Sequence, residues 1–138
     1  MKKLLYLSAI FIIFISCDND EDKGNHQGYR PFELSNSIYA LEIEKEIINE
    51  ATGEVSRKDI SYKVFEFKSD TEVIYAEREN PFSGESSVPK ETYYYIFDFP
   101  GINMLHNKND GKPAISAYFQ NKDSLQVLAK GGWFIKIR

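Results

Sequence analysis

From Ile38 onward the chain alternates short apolar runs with polar turn signals. Tyr39, Leu41, Ile43, Lys45 and Ile47 fall on one side of an extended backbone, and Glu42, Glu44 and Glu46 on the other. That period of two marks a half-buried strand. Read as a helix, capped by Ser37 and stopped by Gly53, the same segment would put Ile38, Leu41, Lys45 and Ile48 on one face. This is a poorer apolar stripe, so the segment is assigned as a strand. Ala51-Thr52-Gly53 then turns a hairpin into Val55–Asp59. Further runs rich in Ile, Val, Tyr and Phe read as strands: Ile60–Lys68, Val73–Glu77, Tyr93–Phe99, Ile102–His106, Ala114–Gln120, Leu125–Ala129 and Trp133–Arg138. Residues 80–89 form a polar loop with two prolines, Pro100-Gly101 breaks the aromatic run, and Asp110-Gly111 suits a type I′ hairpin turn. In the last run Trp133, Ile135 and Ile137 share one face, and Phe134, Lys136 and Arg138 the other.

About eight short strands with mostly short connections, and no βαβ unit, predict an all-β fold in up-and-down order. Eight antiparallel strands can close into a single barrel, which removes exposed edges. A β-sandwich of the same strands is the second choice. The chain of 138 residues, 14% of them aromatic, is long enough for one domain with a ring-rich core. The formal charge of −4 and the lack of a Lys/Arg stripe argue against a nucleic-acid partner.

The first residues carry a different pattern. Lys2 and Lys3 precede an apolar run from Leu4 to Ile15, 12 residues long, which Ser16 and Cys17 close. A basic start, a short apolar stretch and a small residue at the exit make a secretory signal. The run falls short of the roughly 20 apolar residues that span a bilayer. Phe14-Ile15-Ser16-Cys17 resembles the lipobox of bacterial lipoproteins. That resemblance implies removal of residues 1–16 as a signal peptide, lipid attachment at Cys17, and a membrane partner reached through the N-terminal lipid. One acyl chain binds a membrane only marginally, whereas two or three at ~0.8 kcal/mol per buried CH2 anchor durably. Asp18, Asp20 and Asp22 do not complete a calcium loop, because Lys23 and Tyr29 stand where Gly and Glu are needed. Residues 17–34 are expected to be an acidic flexible tether, followed by a β-rich domain over 35–138. In some Gram-negative lineages an acidic run after the Cys resembles a signal for export to the surface of the outer membrane; the alternative location is the inner membrane or the periplasmic face.

Phe65–Tyr75, FEFKSDTEVIY, looks like the F-x-F-x-S-D-G-T strand pair of small bacterial lipocalin-like lipoproteins, with Glu72 in place of the Gly. Ala117–Val127 resembles their closing strands. The likeness implies a lipocalin-like barrel that binds a small hydrophobic ligand, with Tyr93, Tyr95, Phe97 and Phe99 as candidate lining residues on one face of a strand. The alternative is a protein-interaction module with a filled core, of an inhibitor or immunity-like kind, meeting an envelope protein.

Candidate chemistry is thin. His26 and His106 lie far apart in the chain, no Ser sits in a GxSxG elbow, and Cys17 would be consumed by lipid. Carboxylate pairs can always be nominated, Glu91 with Asp98 for example, but catalysis needs a defined separation in three dimensions that the sequence does not supply. These observations predict a non-enzyme without cofactor or metal. Asp123-Ser124-Leu125 resembles an O-glycosylation site of exported proteins in some of these lineages, with Ser124 as acceptor.

Intact-mass analysis of the membrane fraction is expected to show a chain starting at a lipidated Cys17, with 15 basic against 21 acidic residues and a net charge of −6. An unprocessed Met1 would refute the address, and a mass equal to the bare lipidated chain would dismiss a sugar on Ser124.

Overall fold

The computed structural model describes residues 28–138. The signal peptide, Cys17, His26 and the tether up to residue 27 lie outside the described residues. The rest is an all-β chain of eight strands: β1 (Ile38–Ile48), β2 (Val55–Phe67), β3 (Glu72–Arg78), β4 (Glu91–Asp98), β5 (Gly101–Leu105), β6 (Ile115–Asn121), β7 (Ser124–Val127) and β8 (Gly132–Lys136). Each pairs antiparallel with its neighbour in sequence, and β8 returns to β1, so the sheet closes as a barrel and not as a sandwich.

Residues 38–48 are a strand, as their alternation predicts. Val55–Asp59 and Ile60–Lys68, read from sequence as two runs, form the continuous β2. Gly53 sits in the β1–β2 turn at φ 70°, a conformation Gly adopts without the Cβ penalty. Asp110-Gly111 does not make a type I′ hairpin. The β5–β6 connection runs over residues 106–114, too long for that two-residue turn, and Gly111 is not among the glycines with positive φ.

Inward positions recur every second residue. They carry Tyr39 on β1, Phe65 and Phe67 on β2, Val73 and Tyr75 on β3, Tyr93, Tyr95 and Phe97 on β4, Ile102 and Met104 on β5, Phe119 on β6, Leu125 and Val127 on β7, and Phe134 on β8, all in one buried cluster. β8 therefore turns Phe134 inward and leaves the apolar face of Trp133 and Ile135 outside.

The two ends of the barrel differ. At one end, residues 28–34, expected in the tether, lie against the barrel. Gly28 N–H donates to the Phe97 carbonyl and Phe99 N–H to the Tyr29 carbonyl, extending the β4 edge. Phe32 enters the end of the barrel against Phe97, Phe99 and Phe119, with Leu34 buried behind it. Any side chain at position 28 would meet Asp98, whose Cγ lies 2.2 Å from where a Cβ would stand. At the other end the β1–β2 hairpin projects past its neighbours, since β3 pairs with β2 only from Tyr62 to Phe67 and β8 pairs with β1 at Tyr39 and Ala40.

On the outside, Ile38, Ala40 and Val64 form a second small buried cluster, with Tyr62 packed against it. Beside it Arg78, 3% exposed, donates to Glu66, 13% exposed, at 2.6 Å. Lys68 reaches the other oxygen of Glu66 at 2.9 Å. Burial pushes the Glu66 carboxyl up, but the hydrogen bonds from Arg78 and Lys68 outweigh it and hold the group below its ordinary 4.5. A lowered folded value stabilises the fold above the unfolded value and ceases to do so as pH falls through the folded one. Glu66→Gln strands the buried Arg78 charge and is expected to cost about 3 kcal/mol at pH 7. In urea titrations of the full chain, the gap between variant and wild type should close below pH 4.5; a gap unchanged to pH 3 would refute this role.

Candidate functional site

The four residues named as candidate ligand lining occupy the interior, but they are packed on other side chains. Tyr93, Tyr95 and Phe97 are buried on the inner face of β4, and Phe99, just past its end, packs against the same cluster. Ring contacts ring across the interior. Phe97 lies 5.2 Å from Phe119, Phe119 5.5 Å from Tyr39, Tyr39 5.7 Å from Phe67, and Phe67 5.1 Å from Tyr95. Phe65 closes a parallel line with Tyr75 at 5.2 Å and Phe134 at 5.0 Å. Most of these contacts are tilted or edge-to-face, the arrangement ring quadrupoles favour. The buried tyrosines spend their hydroxyls on turn carbonyls: Tyr39 donates to Lys122 at 2.5 Å and Tyr95 to Ser69 at 2.8 Å. Burial pushes both hydroxyls well above the ordinary tyrosine range, so these hydroxyls stay protonated as donors.

The mouth opposite Phe32 is closed by paired charge. Lys130 Nζ contacts Glu91 at 3.1 Å and stands 4.1 Å over the Tyr75 ring. Tyr75 donates to Glu77, and Tyr93 donates to Glu91. Lys63 reaches down to the Lys130 carbonyl at 2.9 Å. The Glu91 carboxyl is held below its ordinary value, first by the Tyr93 hydrogen bond, against the opposing effect of burial, and further by Lys130. His106 stacks on Tyr93 with ring centres 5.2 Å apart. The groups in this mouth are hydrogen-bonded to one another and close it.

Glu91 and Asp98 stand at opposite ends of β4, and Asp98 accepts from the Tyr29 N–H at 2.8 Å. The structure therefore does not bring this carboxylate pair together. Ser124 opens β7 on the outer face, half-buried opposite Ile135. Among the described residues, no three His, Cys, Asp and Glu side chains are grouped to hold a metal ion. Two surface hollows lie outside the barrel. One of about 370 Å3 is bounded by Glu79, Asn80, Ser83, Glu85, Ser86 and Ser87, and one of about 220 Å3 lies among Glu72, Thr92, Tyr94 and His106.

The feature that stands out is on the outer wall. Trp133 (43% exposed) and Ile135 (50%) line the outer face of β8, Ile137 (38%) follows just past its end, and Tyr118 (58%) joins them across β7 through the Tyr118–Gln126–Trp133 row. Sequence alternation separates the two faces of β8 but leaves open which one faces the core. Pairing decides it: Leu125, an inward residue of β7, stands opposite Phe134. Tyr118 joins the stripe only because β6, β7 and β8 are neighbours, which the sequence does not show.

Phe97→Ala should cost about 3–5 kcal/mol in chemical denaturation and open a void that takes up an apolar probe such as benzene, with no uptake by the wild type. A cost under about 1 kcal/mol would mean a loose interior.

Comparison with protein-family models, with curated proteins and with solved structures finds no match to this chain.

Proposed function

We propose that this chain is a lipid-anchored lipoprotein of the cell envelope, displayed on the outer membrane, whose barrel is a non-catalytic protein-interaction module. The observation that carries the reading is the apolar stripe of Trp133, Ile135, Ile137 and Tyr118 on the outside of a barrel whose inside is already filled. A small hydrophobic ligand held lipocalin-fashion would have to displace buried rings such as Phe97 and Tyr95. Each costs several kcal/mol to remove from its packing.

The stripe has the chemistry of an interface core. Aromatic side chains are enriched there, apolar area concentrates at the core, and a surrounding rim excludes water. Ser124 and Gln126 lie between the strands that carry the stripe. Burying four half-exposed side chains contributes on the order of 1 kcal/mol each. A total near 4 kcal/mol corresponds by itself to millimolar affinity. Tighter binding therefore needs hydrogen bonds from the rim, and a membrane anchor that holds the domain close to an envelope partner raises its effective concentration.

Photo-cross-linking residues placed at positions 133 and 135 in living cells are expected to trap one discrete envelope protein, while the same residue at position 94 on the opposite wall traps none. Ile135→Asp should abolish the product without lowering the melting temperature. Trp133 is the only tryptophan of the chain, so its emission reads docking directly and is expected to shift to the blue when the trapped partner is added. Cross-links that come equally from both walls would overturn the assignment.

A further inference from the structure

Among the described residues, the projecting β1–β2 hairpin has no neighbouring strand along either edge beyond Tyr62 on β2 and Ala40 on β1. The hydrogen bonds at its root show which backbone groups face outward. Phe67 N–H donates to the Ser37 carbonyl on the β1 side, and Lys68 N–H to the Glu72 carbonyl on the β3 side. Successive residues of a strand alternate in direction. Lys58 and Ile60, in step with Lys68, therefore turn their N–H and C=O groups toward the β3 side. There β3 has already ended opposite Tyr62. All side chains from Val55 to Ile60 are exposed, so nothing else in the described chain covers this edge. On β1, Ile38 turns toward β8, and by the same alternation Glu42, Glu44 and Glu46 present the other free edge.

A two-stranded ribbon alone is marginal in water, and an open edge invites a further strand. The charges decide which strand fits. Antiparallel pairing of the β1 edge with its own copy, centred on Glu44, would oppose Glu42 to Glu46 and Glu44 to itself, a row of like charges. Pairing the β2 edge with its own copy, centred on Lys58, sets Arg57 opposite Asp59 of the second copy, and Asp59 opposite Arg57, in the close non-hydrogen-bonded pairs. Sliding the centre to position 57 or 59 would set Arg on Arg or Asp on Asp. The one like pair in the favoured register, Lys58 on Lys58, is already compensated on the β1 side, where Glu44 and Glu46 meet Lys58 at 2.5 and 3.5 Å. Within each copy Arg57 and Asp59 are 3.0 Å apart, so the four charges alternate in sign across the junction.

We infer that the chain forms a two-fold dimer by joining the β2 edges of two hairpins, register centred on Lys58, into a four-stranded sheet β1-β2-β2-β1. This surface is separate from the outer face of β8 and does not depend on its role.

The test is sedimentation of the full chain in detergent. Arg57→Asp and Asp59→Arg each set like charges opposite at both contacts and should weaken the dimer about tenfold, whereas the double variant R57D/D59R restores opposite charges and should return to within about threefold of wild type. Lys58→Cys should give a disulfide mapped by peptide mass spectrometry to 58–58, and Glu44→Cys should not. Both positions are solvent-exposed, and an unchanged melting temperature checks the fold. A double variant no better than the singles, a bond through 44 in place of 58, or a monomer at every concentration would overturn the inference.

Discussion

An eight-stranded barrel encloses about as much room as opposing side chains can fill, and in this chain rings fill it. The run from Phe32 through Phe97, Phe119, Tyr39 and Phe67 to Tyr95 ties together β1, β2, β4 and β6. Closure depends on it, because β1 and β8 pair at only Tyr39 and Ala40, with two further backbone bonds, from Ile38 N–H to the Arg138 carbonyl and from Ile137 N–H to the Ile38 carbonyl. So short a seam holds because Tyr39 on one side and Phe134 on the other are buried in the same ring cluster.

The filled interior sets what the surface is for. Polar groups that enter the barrel are used locally: Tyr39 and Tyr95 tie turns to the wall, and Lys130, Glu91, Tyr93 and Tyr75 close the mouth. At the other end Phe32 and Leu34 complete the core from a segment that precedes the first strand. The proposed interaction therefore falls to the outer wall. Its two unusual features are an apolar stripe where β8 faces water and a hairpin longer than its neighbours. The acidic Glu42, Glu44 and Glu46 keep one edge of that hairpin from pairing with its own kind, while Arg57 and Asp59 make the other edge self-complementary.

The buried outer pair of Glu66 and Arg78 is a different kind of element. It sits beside a small apolar cluster of Ile38, Ala40 and Val64 outside the barrel. Arg78 also donates to the Pro81 carbonyl, tying the start of the β3–β4 loop to the wall. A desolvated pair contributes little net stability but is costly to break, so its consequence is to hold that loop in one place.

Alternation along the chain was enough to assign β1 against a helical reading and to separate Tyr93, Tyr95 and Phe97 from Tyr94 and Ile96, because a period of two is a local property of an extended backbone; the number of runs and their short connections pointed to a barrel but left a sandwich open. Turn chemistry was partly readable: Gly53 is used as expected, while Asp110-Gly111 sits in a longer loop whose course depends on where β5 and β6 end. Three matters were decided only in the tertiary structure. Phe32 and Leu34 belong to the core because the open end of the barrel lies beside them. The aliphatic face of β8 points to water because Phe134 must face Leu125. Among the described residues, the β1–β2 edges are bare because β3 and β8 are shorter than the hairpin they flank. Each follows from which strands become neighbours and how far each extends, and a single strand's pattern does not contain its neighbour's length.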